Sequence, residues 1–192
     1  MSSTKAHVPT LPGWKRYCRE MKAAGNQTFL DGPPTRFHSR WRLAVSFRGM
    51  DLDGYGEART RTGNDTLFRL LIAYSVADQL REVDPALSKA VSVMRDRAMA
   101  DSLRSALRLD AIVENEKVSR MKAQRHFADL HTTDDVLVFA RALRHIAAHG
   151  SATPWGLGIK TKAAYQAVDE LSSALVEEAE RSFAQFVQSR WP

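Results

Sequence analysis

The chain has 192 residues, 44% of them hydrophobic and 26% charged, with a formal net charge of +6 and a single cysteine, Cys18. That length and composition fit one ordinary domain with a real core and exclude a disordered chain. One cysteine excludes a disulfide framework and a cysteine-rich zinc site. No apolar core follows Met1-Ser2-Ser3-Thr4-Lys5, and no apolar stretch is long enough to span a membrane, so a cytoplasmic protein without membrane contact is expected.

The charge is unevenly placed. Residues 1–62 hold eleven Lys and Arg against five Asp and Glu, whereas residues 63–192 hold seventeen of each. The excess therefore sits in the first third, which reads as a basic extension, 1–62, preceding a helical domain, 63–192. Such a segment recruits a polyanion by releasing its counterions, or serves as a solubilising tail.

In chain order, the extension is punctuated by Pro9, Pro12-Gly13, Gly32-Pro33-Pro34, Gly49, Gly54 and Gly56, with short elements between them. Trp14 to Ala24 suits a short helix. Trp41-Arg42-Leu43-Ala44-Val45-Ser46-Phe47 alternates in the manner of a strand or extended packing segment. Asp51-Leu52-Asp53-Gly54-Tyr55-Gly56 reads as a turn, and it lacks the distal glutamate of a calcium loop. From Gly63 the pattern is helical. Asn64-Asp65-Thr66 caps a helix to about Val83, with Leu67, Leu70, Leu71, Tyr74 and Ala77 on its apolar face and Phe68, Ile72 and Val76 broadening it. Asp84-Pro85 breaks that helix and opens the next, Ala86 to about Leu109, divided near Ala100-Asp101. Glu116 to Leu130 is a more polar helix. Thr132-Thr133-Asp134-Asp135 caps a helix from about Thr133 to His149 that stops at Gly150. Ser151 to Ile159 is a loop, and Lys160 to about Gln188 is a last long helix facing inward through Ala164, Val168, Leu171, Leu175, Ala179, Phe183 and Phe186. The expected fold is all-α, a bundle of five or six helices with a basic, less regular N-terminal extension.

The chemistry-bearing stretch is Arg144-His145-Ile146-Ala147-Ala148-His149-Gly150. Helical spacing puts Arg141, His145 and His149 near one line, with Arg144 on the flank. Carbonyls at the helix end favour a protonated imidazole at His149 and the arginines oppose it, so His149 is expected to exchange a proton near neutrality, as proton transfer requires. Two histidines four apart also suit a metal, but no carboxylate or cysteine shares their turn, so no metal or other cofactor is expected. The same four polar side chains fit a merely solvated helix end. Trp155, in the following loop, is either a stacking platform for a base or a buried anchor. Arg120 with His126 and Arg125 with His131 are further pairs at similar spacing. Arg144 is preferred because a polar residue follows it directly and a helix stop follows His149.

Arg144-His145-x3-His149 resembles the arginine–polar–x3–histidine signature of the HEPN superfamily, and the all-helical setting from about Gly63 to Pro192 is similar too. The resemblance implies a metal-independent endoribonuclease that works as a homodimer, the motif helices of two protomers forming one cleft. It implies that His149 moves a proton at the ribose 2′-hydroxyl or the leaving 5′-oxygen. Arg144 would steady charge on the phosphate, and His145 would orient Arg144 or bind phosphate. Arg141 and Trp155 are expected to contact RNA. The products would be a 2′,3′-cyclic phosphate and a 5′-hydroxyl. The resemblance also implies a toxin or defence role, with an antitoxin or regulatory protein as a further partner. Two alternatives differ in class: a non-catalytic HEPN-like module binding a partner protein or a nucleotide, and a helical structural protein in which the motif is coincidence.

Overall fold

The computed structural model of the chain describes residues 9–26, 32–50, 58–115 and 129–192. They form eight helices: α1 (Trp14–Ala23), α2 (Pro33–Ser46), α3 (Ala58–Arg81), α4 (Pro85–Ala90), α5 (Arg97–Ala106), α6 (Leu109–Val113), α7 (Val136–Ala148) and α8 (Lys162–Arg190). The fold is all-α among the described residues: six helices from Ala58 onward and two before it, with an isolated Arg95–Asp135 bridge as the only β pairing. No described helix is long and apolar enough to cross a membrane. The expected turn at Asp51–Gly56 and all but the last residues of the Glu116–Leu130 helix lie outside the described residues.

The layout follows from α3 and α8, the two longest helices, which pack along each other. Helix α8 buries Ala164, Ala167, Val168, Leu171, Leu175, Ala179, Phe183 and Val187, an apolar stripe at helical spacing. Against α3 and α8 lie two contiguous apolar clusters. One joins Leu67, Leu70 and Tyr74 of α3 to Leu103 of α5, most of α7, and Leu171 and Leu175 of α8. The other joins Leu11, Tyr17, Phe37 and Trp41 to Val76, Leu80, Phe183 and Val187.

The second cluster changes the reading of the N-terminal third. The segment Trp41–Phe47 is helical rather than extended, apart from Phe47 at the helix end. Pro33-Pro34 open α2, where a missing N–H costs nothing, and the buried residues Pro34, Phe37 and Trp41 recur three and four apart. The alternation after Trp41 is the tail of that periodicity. Trp41, 1% exposed, donates its indole N–H to Glu180 of α8 at 3.3 Å. Helix α3 likewise begins at Ala58 and carries Gly63 within it. Asp65, expected to cap α3, accepts the backbone N–H of Met50 at 2.8 Å instead. The division expected near Ala100-Asp101 falls between Ala90 and Arg97, because Asp96 caps α5 by accepting the N–H of Met99 at 2.9 Å.

Two tethers fix the motif helix. At its start, Asp135 accepts the N–H of Leu137 at 3.1 Å and of Met94 at 2.9 Å, and Val136 donates to the Met94 carbonyl at 2.8 Å. At its end, Gly150 takes φ 60°, its N–H reaches the Ala147 carbonyl at 3.1 Å, and the N–H of Ser151 reaches that of Ile146 at 3.1 Å. This is a Schellman stop, which favours glycine at its left-handed residue. The loop beyond it is pressed onto the body: a Cβ on Gly158, at φ 85°, would stand 2.8 Å from the Arg108 nitrogen.

Candidate nucleic-acid interface

Helix α7 buries Val136, Leu137, Val138, Phe139, Ala140, Ala142, Leu143 and Ile146. Its remaining positions are Arg141, Arg144 and His145, all half-buried, and the alanines 147 and 148. His149 follows as the exposed cap residue. Every polar side chain that α7 and its cap present is therefore an arginine or a histidine. Burial of the opposite face holds them in place, since rotating α7 would expose leucine, valine and phenylalanine at about 1.5–3 kcal/mol each.

His145 and His149 lie one turn apart with ring centroids separated by 5.9 Å and planes at 32°. Arg141 stands one turn before His145, so the line drawn from the sequence exists. Arg144 leaves it: its guanidinium lies over the ring of Tyr74 on α3, 5.7 Å from the centroid. Helical geometry accounts for this, because residues five apart differ by about 140° around the axis. A single chain thus directs Arg144 toward α3 and His149 toward the helix end. Burial, then the charges of Arg144, His149 and Arg141, hold the His145 imidazole below its ordinary value of 6.5, so it is neutral at pH 7. A neutral ring offers one N–H donor and one acceptor nitrogen.

Trp155 is 45% exposed, and the ammonium of Lys160 sits 5.3 Å from its ring centroid. The loop is anchored by other residues: Pro154, Leu157 and Ile159 are buried, and Pro154 packs against Gly63 at the start of α3. His131 is exposed, 3.9 Å from an Asp110 carboxylate oxygen, and His126 lies outside the described residues. Among the described residues no group of three or more His, Cys, Asp or Glu could hold a metal.

Sequence reasoning missed two aromatic residues. Tyr74 is buried, as its place on the apolar face predicts, but its ring also seats Arg144. Phe68, expected to broaden the apolar stripe of α3, is 46% exposed. The signal was present: Phe68 falls about 100° from Leu67 and Arg69 around the axis, so a helix with neighbours on three sides leaves it on the fourth.

Comparison with protein-family models, with curated proteins and with solved structures finds no match to this chain.

Proposed function

We propose that the chain is a metal-independent endoribonuclease of HEPN type, acting as a homodimer. The observation that carries this is α7, whose only polar side chains outside the buried face, with its cap, are Arg141, Arg144, His145 and His149. Cations alone would make a binding patch. Cations beside imidazoles supply both of the requirements of RNA self-cleavage, charge neutralisation at the phosphate and proton transfer.

In the reaction, His149 removes the proton of a ribose 2′-hydroxyl, or delivers one to the departing 5′-oxygen. The 2′-oxygen attacks phosphorus, the P–O5′ bond breaks, and the strand ends as a 2′,3′-cyclic phosphate and a 5′-hydroxyl. Arg144 neutralises charge gathering on the non-bridging oxygens. His145, neutral at pH 7, accepts or donates a hydrogen bond without competing for the phosphate as a cation. The angle between Arg144 and His149 supports the dimer. Two α7 helices facing across a two-fold axis supply, from one protomer and its partner, the convergence that one helix denies.

The test is single-stranded RNA incubated with purified protein in EDTA, with end-group analysis and sedimentation of the protein. Cyclic-phosphate ends that vanish in His149→Ala and Arg144→Ala are expected, from a dimer. An inert wild type, or variants that cut equally well, overturns the enzyme. Binding without cutting, unchanged by His149→Ala, identifies the non-catalytic module instead.

A further inference from the structure

The solvent-facing stripe of α3 lies between two helices that both present arginines. Tyr74, which seats Arg144 of α7, and Gln79, whose side-chain oxygen accepts the Nε–H of Arg36 of α2 at 3.1 Å, are about 140° apart around α3. On the arc between them lie Phe68, Leu71, Ser75 and Asp78, while Leu70, Ala73 and Ala77 face the opposite way and are buried. Helices α2, α3 and α7 thus form one surface layer over α8, with α3 as its floor. On the α2 side a hollow of about 410 Å³ is lined by Thr35, Arg36, Ser39, Arg40, Leu43 and Gln79.

Along this floor Phe68 is 46% exposed and stands ten residues, about 15 Å of helix, from the exposed carboxylate of Asp78.

We infer that this floor is a track for single-stranded RNA, with Arg36 and Arg40 holding phosphates along one wall and Phe68 stacking a base on α3. The inference rests on the ribonuclease reading of α7. Its chemistry selects an unpaired strand. A base can stack on a side chain only when it has left its neighbour in a duplex, and an in-line 2′-oxygen needs a backbone free of A-form geometry. Arginine walls match phosphate oxygens through forked donors.

The experiment measures binding of fluorescent single-stranded and duplex RNA to full-length His149→Ala protein at two salt concentrations. The single strand should bind more tightly. Adding Phe68→Ala should weaken it about 5- to 100-fold at both salts, and Phe68→Tyr should restore it. Adding Arg36→Ala with Arg40→Ala should lower the slope of log affinity against log salt by about 1.4, the share of two phosphates on a single strand. Unchanged thermal melting of Phe68→Ala and the double variant separates loss of the track from loss of the fold. Equal binding by all variants, a preference for duplex, or binding to anionic vesicles in place of RNA overturns the track. Cleavage by otherwise native protein keeps the two readings apart. If Phe68→Ala and the Arg36/Arg40 variant bind and cut as wild type does, the track fails and the ribonuclease stands. If Arg144→Ala and His149→Ala cut as wild type does, the ribonuclease reading fails, whatever the track binds.

Discussion

Helix α7 buries eight of its thirteen residues, and α2 buries three of fourteen. Both carry arginines, but in different settings. On α7 the arginines and histidines are the few positions left over from a helix enclosed by α3, α5, α6 and α8, so the core decides where each one stands. On α2, Arg40 and Arg42 are exposed, and Arg36, also exposed, donates to Gln79 of α3. Position therefore matters on α7, where one guanidinium is seated on Tyr74, and charge matters on α2, where the side chains project into solvent. Two arginine-bearing surfaces can share a sequence composition and differ only in what lies behind them.

The sharpest way to break this comparison is the exchange of arginine for lysine. Arg144→Lys keeps the charge and loses the planar fork over Tyr74, whereas Arg42→Lys keeps all that an exposed cation supplies. RNA cleavage should fall by about 10²–10⁴ in His149→Ala, the usual reach of a general acid or base, and clearly in Arg144→Lys. Arg42→Lys should cut at the wild-type rate. Cyclic-phosphate ends formed in EDTA are the measurement, and equal loss in both lysine variants would abolish the distinction.

Next in size is a test of whether α2 is part of the body. Trp41 is 1% exposed and packs in the cluster with Phe37 and Phe183, so Trp41→Ala should cost about 3–5 kcal/mol in denaturant unfolding. Phe139→Ala, also 1% exposed but in the cluster around α7, should cost a similar amount. A Trp41→Ala cost below about 1 kcal/mol would return the N-terminal third to the status of an appendage.

Asp135 sharpens the other side. Its carboxylate accepts two backbone N–H groups, from the first turn of α7 and from Met94, so Asp135→Ala should cost about 1–2 kcal/mol in the same unfolding measurement. Asp135→Asn, which keeps an acceptor oxygen, should recover most of the loss.

The smallest expected effect is a pH dependence present in both regions. Burial, then Arg42, lowers the pKa of His38, which stacks on Trp14 with ring centroids 4.1 Å apart; burial first, then the flanking cations, lowers that of His145. For each, the unfolded chain binds a proton at a higher pH than the folded one. Stability should therefore be full above the ordinary histidine value of 6.5 and decline as pH falls through it toward the lowered folded values. Melting temperatures between pH 8 and pH 5 check this, and the slope should shrink in His38→Phe and in His145→Asn. A slope that neither substitution alters would show that neither imidazole is held neutral.

Much of the fold was legible in residue order because its signals are local. Thr132 to Asp135 announced the start of α7, Gly150 its stop, Asp84-Pro85 the break after α3, and the spacing from Ala164 to Phe183 the buried face of α8. Each is a matter of caps, missing N–H groups and a 3.6-residue period, which a chain carries without knowledge of its neighbours. The line of Arg141, His145 and His149 was readable for the same reason. What residue order could not supply was which sides of α3 would be covered. That depends on where α2, α7 and α8 dock, through contacts between residues far apart in sequence. Only tertiary packing turned Trp41 inward on a helix, left Phe68 in solvent, and drew Arg144 off its neighbours' line onto Tyr74.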